Sequence, residues 1–475
     1  MGEQDFSTFT NFTDSSDWSK RIGSAISEIR SKCRSATTEK SDLLLYAFDA
    51  TKRTHLPDCV VFPEGAEEVS AVMKICSKYK IPVTPRGAGT GFAGGAVPIS
   101  GGVVLVFTKM NRILNLNRES LFVEVEPGIV NAELGALLAK EGLFYPPDPA
   151  SLKSSTIGGN VSTGAGGPSA VKYGVTADYV MGLTAILPNG DIIETGIKTE
   201  KGVVGYNLTK LLVGSEGTLG VITKIRLKVV PIPEKVFTSA VFFPGRREAT
   251  DAAILILQKG IRPRTLEYID KTALNCVTEF TGLVLPSRGE TMLLIETDGK
   301  EENAKREMDD VEKICLSSGA VKFDLASTKI EAEKLWEIRR SISPSLRKLS
   351  PTKINEDITV PRNRIADLME RLDRLSEKSG IPIVNFGHAG DGNIHVNVMT
   401  DQNKKDEYRL ALEIVDEIFD ITLELDGTIS GEHGVGVAKK PYIAKELGRG
   451  TIEISKALKK AFDPDNILNP GKIFP

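Results

Sequence analysis

Histidine is scarce in this chain, four residues in 475, so any place where histidines gather stands out. Cysteine is nearly as rare. Cys33, Cys59, Cys76, Cys276 and Cys315 are odd in number and scattered, with no Cys-x-x-Cys pair. That excludes a disulfide framework, a cysteine-held zinc and an iron–sulfur cluster. Any electrons the protein handles must travel on something other than its own sulfur. Long apolar runs are missing too: GGVVLVF at 101–107 has the length of a strand, against the ~20 residues of a membrane-crossing helix. Excess charge is also lacking. Sixty Lys and Arg against 63 Asp and Glu leave a net −3 and a pI near 6.0, which offers no field to nucleic acid or to an anionic membrane surface. The opening MGEQDFSTFTNFTDSSDW has neither the basic nor the apolar region of a secretory leader. Phe6 stands where a myristoylation motif has Ser or Thr, so a cytoplasmic protein is expected.

What is present is a chain of ordinary globular composition, 41% hydrophobic and 26% charged, long enough for roughly two to three domains. Two of its four histidines fall in FGHAGDGNIHV at 386–396. Asp391-Gly392 predicts a two-residue type I′ turn. That turn sets Gly390 opposite Asn393, Ala389 opposite Ile394 and His388 opposite His395, with the imidazoles on one face about 5 Å apart. A matched pair of this kind has metal-ligand geometry; the competing reading is two satisfied core histidines.

Along the chain, helical spacing covers 18–32 and 66–79, the latter followed by the strand IPVTPR. Two runs of small residues follow, GAGTGFAGGAVPISGG at 87–102 and IGGNVSTGAGGPSAVKYG at 157–174. Between them the spacing predicts an amphipathic helix over 131–141, capped by Gly142. LTAILPNGDIIETG reads as a hairpin turning at Asn189-Gly190, and GTLGVITKIRLKVVPIP alternates as a strand until Pro231 and Pro233 break it. A domain boundary is expected near residue 234, because the texture then shifts to alternating strands and charged helices. No internal repeat stands out. RGAGTGFAGGA at 86–96 fails as a dinucleotide fingerprint, since its glycines run into a strand instead of a helix and Glu119 lies in a polar turn. It remains either a structureless loop or one whose bare backbone amides approach a pyrophosphate closely. Two such loops in one domain favour a large, flat, phosphorylated cofactor.

These residues resemble a known family. PRGAGTGFAGGA, YPPDPAS, TIGGNVSTGAGG, VKYGVTADYV and VGSEGTLGVIT are similar to the FAD-binding domain of the vanillyl-alcohol-oxidase flavoproteins. GHAGDGNIH, SGEHGVG and FDPDNILNPGKIF resemble its subgroup of FAD-linked D-2-hydroxyacid dehydrogenases, which includes glycolate oxidase catalytic subunits and D-lactate dehydrogenases. The resemblance runs through nearly the whole chain in order. It implies an α+β protein: an N-terminal helical segment (1–54), a two-part FAD-binding domain (55–233), a substrate or cap domain with an antiparallel sheet (234–420), and a C-terminal helical segment returning to the flavin (421–475). It also implies that Pro85, Arg86, Gly87, Ala88, Gly89, Thr90, Gly91, Gly94 and Gly95 wrap the FAD pyrophosphate. Pro147, Asp148, Ile157, Gly158, Gly159, Asn160, Gly164 and Thr176 would line the cofactor, Glu216, Gly217, Gly220 and Ile222 would complete its pocket, and Asn469 would come back near the flavin. Relatives that attach FAD covalently use His or Cys. There is no histidine between His55 and His388 and no cysteine in either glycine loop, so a dissociable FAD is expected.

Glu432-His433, among the glycines of SGEHGVG after a helix expected over 410–424, supplies further candidates. Two neutral imidazoles and a carboxylate, His388, His395 and Glu432, with positions left open, make a catalytic site for one divalent ion, Zn, Mn or Fe. A charged surface turn is the plainer reading of Glu-His-Gly. In the resembling enzymes the histidine corresponding to His433 acts as base, and an imidazole can accept a hydroxyl proton at neutral pH. The substrate's carboxylate wants a cation: Arg339, by its Trp-x-x-Arg position, with Lys353 as a second candidate. Ser343, one turn after Arg339, and Asn397 complete the substrate set. A small 2-hydroxy acid is the expected substrate. Without cluster cysteines the electron acceptor is external: a quinone, an electron-transferring flavoprotein, an iron–sulfur subunit, or oxygen as a leak. A homodimer or hetero-complex fits that arrangement. Two alternatives are a redox-neutral FAD-dependent alkyl transferase and a non-catalytic FAD-binding subunit.

Overall fold

The structure is a computed structural model; it describes residues 15–33, 35–282 and 289–475. The opening segment read above for targeting signals lies outside those residues, apart from its last few. The chain divides into two compact units, one of residues up to 165 with 175–231 and 433–475, the other of 166–174 with 232–432.

The first unit holds two sheets. In the smaller, Cys59–Val61 and Val83–Arg86 flank Val103–Val106 in parallel, and Ala36–Thr37 adds an antiparallel edge. Val103–Val106 is buried at every position, as an apolar run covered on both faces should be. Helix Ala66–Tyr79 packs here through Val69, Val72, Met73 and Cys76, and Lys80 ends it in the left-handed region at φ 51°. The larger sheet is antiparallel, in the order Ile113–Asn117, Phe122–Val125, Val221–Lys228, Val180–Ile186, Ile192–Gly196. Its last hairpin does turn at Asn189-Gly190, but through a longer loop: Gly190 N donates to Leu187 O and only Gly190 has positive φ, 83°. The helix expected over 131–141 is Asn131–Ala139, with Gly142 left-handed beyond it at φ 71°.

The second unit is built on a seven-stranded antiparallel sheet, in the order Lys322–Leu325, Lys235–Phe243, Thr291–Gly299, Thr265–Ile269, Ile383–His388, Asn393–Thr400, Thr352–Thr359. Helices Lys271–Thr281 and Lys329–Ser345 cover part of one face, burying Leu274, Ile338 and Ile342 with Phe386 and Met399. Helix Lys405–Glu424 packs on strands Thr352–Thr359 and Asn393–Thr400. The second unit includes this helix and runs on to Glu432.

The hairpin carrying the two histidines departs from its expected register. His388 pairs with Asn393 and His395 with Phe386, so four residues, 389–392, form the loop. A type I′ turn needs positive φ at both central residues, and Asp391 does not adopt it; only Gly392 does, at 91°. His388 O instead accepts from both Asp391 N (3.2 Å) and Gly392 N (3.0 Å). Because the register moved by two and not by one, His388 and His395 still share a face, as diagonal neighbours.

Candidate active site and metal centre

In the first unit, the expected cofactor residues converge where strand Val83–Arg86 runs into the first glycine loop. Side chains are excluded there by contact. A Cβ on Gly87 would lie 2.2 Å from Thr156 Oγ1, and one on Gly158 would lie 2.5 Å from Pro127 Cβ. Thr156 caps helix Ile157–Thr163 by accepting from Gly159 N. Arg86 sits beneath the loop, donating to Phe48 O (2.7 Å) and Ala96 O (3.3 Å); it braces Gly89, whose Cβ would meet its Nη2 at 2.2 Å. Asn469 returns to the loop's end, donating to Glu216 O (2.7 Å) and Gly95 O (3.3 Å). Gly217, at φ 68°, packs against Asn469 and Pro85. Glu216 is held at φ 51° and accepts from Val435 N at 2.8 Å; burial raises its carboxyl above the usual range. His433 stacks on Phe92, centroids 5.1 Å apart.

The other expected cofactor positions lie around this point. Ala88, Thr90 and Gly91 continue the loop, and a Cβ on Gly94 would lie 3.2 Å from Val437. Pro147 O accepts from Asn131 and leads to Asp148. Ile157 is buried, Gly164 caps its helix at φ 69°, and Thr176 N donates to Ala165 O. Ile222 pairs with Ala185, just after Gly220. Asn160 Nδ2 and Ser155 Oγ are buried with no hydrogen-bond partner among the described residues. Bare backbone plus unfilled buried polar groups fits a large phosphorylated ligand such as FAD. Lys472 was not legible in the sequence. It is buried, donates to Gly95 O (2.7 Å) and Asn469 Oδ1 (2.9 Å), and burial drops its ammonium to about 7 against the opposing pull of Asp49 and Glu216.

In the second unit, His388, His395 and Glu432 bring one ligand atom each within 4.8 Å of one another. The imidazole centroids are 5.4 Å apart. His395 Nε2 and His388 Nε2 lie 3.4 and 3.8 Å from Glu432 Oε1. Glu432 is fixed through its backbone: its N–H donates to Asp357 Oδ2 at 2.6 Å, and Asp357 pairs with His395 across the sheet. Behind His388, Nδ1 meets Glu267 Oε1, while Glu267 Oε2 accepts from Arg339 Nε at 2.6 Å. Burial works against a charge on either partner. The Glu267 carboxyl nevertheless stays below its ordinary range because His388 and Arg339 outweigh burial, and Glu267 lifts the His388 imidazole well above its own. The carboxylates that favour a proton on His388 would equally favour a divalent cation, which two neutral imidazoles and a carboxylate would hold in place of that proton.

The expected substrate residues fall in the same unit. Arg339 carries its guanidinium 4.7 Å from the centroid of Phe386. Lys353 Nζ donates to Ser343 Oγ at 2.7 Å. Asn397 is fully buried, donating to Val384 O and His395 O and accepting from Asn355. Glu267 and Asp357 had no signal in the sequence, since each reads as an ordinary polar position in a strand.

Comparison with known proteins agrees with both halves. Residues 57–196 match an FAD binding domain, and residues 232–473 match the C-terminal domain of FAD linked oxidases. The chain is 45% identical over 432 residues to glycolate oxidase subunit GlcD of Bacillus subtilis, covering 91% of this chain and 92% of the relative. It is 37% identical to a D-lactate dehydrogenase of Anaerostipes hadrus, covering 88% and 89%. Among solved structures, p-cresol methylhydroxylase superposes with a TM-score of 0.77 at 19% identity, covering 97% of each chain. Alkyldihydroxyacetonephosphate synthase gives 0.74 at 21%, covering 94% of this chain and 86% of that one; both show the fold. The chain belongs to the FAD-linked oxidases of the vanillyl-alcohol-oxidase superfamily, in the subgroup of D-2-hydroxyacid dehydrogenases. It is an FAD-linked oxidoreductase. No helix among the described residues is long and apolar enough to cross a membrane.

Proposed function

We propose that this enzyme oxidises a small 2-hydroxy acid, D-lactate or the achiral glycolate, to the 2-oxo acid with the help of one divalent cation. The observation that carries the reading is the cluster of His388 and His395, on one face of the sheet, with Glu432, brought to them by the loop after helix Lys405–Glu424. The names of the relatives, glycolate oxidase subunit and D-lactate dehydrogenase, support the substrate class. When bound, FAD supplies the hydride acceptor, and the cation supplies Lewis acidity that lowers the pKa of a chelated hydroxyl. His388 and His395 would hold the cation through Nε2 and Glu432 through a carboxylate oxygen, a donor set suited to an ion that would also bind the acid's carboxylate and hydroxyl. Arg339 and Lys353, with Ser343 beside Lys353, draw the carboxylate in and fix the α-carbon. His433, one peptide bond beyond Glu432, takes the hydroxyl proton on its imidazole.

All five cysteines are buried, and burial pushes the Cys33 and Cys59 thiols up to about 11 and about 12, so they offer no redox relay. FAD, when bound, would need an external acceptor for its electrons: a quinone, an electron-transferring flavoprotein or an iron–sulfur subunit. FAD is held without a covalent bond. Anaerobic mixing with a panel of D- and L-2-hydroxy acids tests the reading: flavin absorbance should bleach with D-acids. No bleaching with any acid in the presence of divalent metal overturns it.

A further inference from the structure

We propose that Glu267 is the positioning residue of this centre: one carboxylate sets His388 as a metal ligand and, through its other oxygen, holds the substrate-gripping Arg339. The inference rests on the metal-assisted reading above and goes beyond its ligand set.

Glu267 lies in the middle of the sheet, on strand Thr265–Ile269, directly opposite His388. It is completely buried. A carboxylate in that position is costly unless both oxygens are occupied, and here they are, by His388 Nδ1 and Arg339 Nε. An ionised carboxylate only accepts hydrogen bonds. The proton of a neutral His388 must therefore sit on Nδ1, which leaves the lone pair on Nε2, the nitrogen that lies 3.8 Å from Glu432 Oε1. Removing Glu267 frees both the tautomer and the ring orientation. The second oxygen has a separate effect. With Nε tied to Glu267 and the guanidinium laid over Phe386, Arg339 meets an incoming carboxylate with its terminal nitrogens, in one orientation. The two elements that supply His388 and Arg339, a hairpin strand and helix Lys329–Ser345, are thus registered to each other through one side chain.

The experiment uses the full FAD-loaded chain and reads Zn²⁺ affinity by competition with a chromophoric chelator, with Co²⁺ absorption as the spectroscopic signature. E267A should lose affinity by about 10- to 100-fold, the usual worth of a carboxylate behind a metal-bound histidine, with FAD content unchanged and the Co²⁺ bands altered. E267Q separates the two roles. Its amide oxygen still accepts from Nδ1–H, so metal affinity is largely restored. Its NH₂ meets Arg339 Nε–H donor to donor, so KM for the acid should rise on the order of tenfold, more than kcat falls. If H388A loses the metal while E267A keeps wild-type affinity, the role of Glu267 is overturned and the metal reading stands. If H388A also keeps it, the metal reading fails and takes this inference with it. Should E267A not fold, E267Q decides alone: unchanged KM together with unchanged metal affinity overturns the proposal.

Discussion

In the first unit the candidate cofactor cradle is shaped by side chains that are not there. Gly87 and Gly158 bring backbone to within contact of Thr156 and Pro127, where any Cβ would collide. In the second unit the candidate centre is shaped by side chains held in place. His388, His395 and Asp357 project from neighbouring strands of a sheet in which every strand pairing is antiparallel. A loop of glycines can follow the outline of a large ligand, whereas a small ion needs its few ligand atoms placed to within a fraction of an ångström. The two modes should therefore fail differently, and in separate units.

That separation can be broken experimentally. The largest effect is expected from His388→Ala or His395→Ala: loss of the bound divalent metal and a fall in turnover on the order of 10³-fold or more, with FAD retained. Elemental analysis beside flavin absorbance measures both, and loss of FAD from these variants would erase the distinction. His433→Ala should keep metal and FAD yet slow the reductive half-reaction by about 10²- to 10⁴-fold, the worth of a positioned base, as seen by anaerobic stopped flow. Gly158→Ala is the mirror case. A strain of about 1–3 kcal/mol from overpacking should weaken FAD retention on desalting while metal content stays at the wild-type level. The smallest intervention concerns linkage alone: acid or heat precipitation should release yellow FAD into the supernatant, and flavin remaining in the pellet would reveal an attachment residue.

The two units also differed in how much could be read beforehand. Helix Ala66–Tyr79 was legible to the residue, because an apolar stripe and charged flanks state its limits locally. The glycine motifs of the candidate cradle stood out in the sequence, and at Gly87 and Gly158 steric exclusion accounts for the residue type. His388, His395 and Glu432 could be picked out as a set, but not their register. Both a two-residue and a four-residue loop suit Ala-Gly-Asp-Gly, and what distinguishes them, such as Gly390 packed against Val171, comes from a remote segment. Glu267 and Lys472 were not legible at all. Their roles depend on partners 121 and 377 residues away, and a single buried charge leaves no periodic trace.

The four-residue loop at 389–392 also sets a rule for how this hairpin can change length. Pairing a strand with its neighbour in steps of two keeps odd and even positions on their own sides, while a step of one exchanges them. A relative that gains or loses two residues between the histidines can still turn both imidazoles the same way. A single residue added within 389–392 only lengthens the loop, whereas one added between Asn393 and His395, inside the paired strand, must be absorbed by a bulge or it sends one imidazole through to the opposite face of the sheet. Length changes should therefore be free in the loop and restricted by parity in the paired strands, a restriction that no list of ligand residues would reveal.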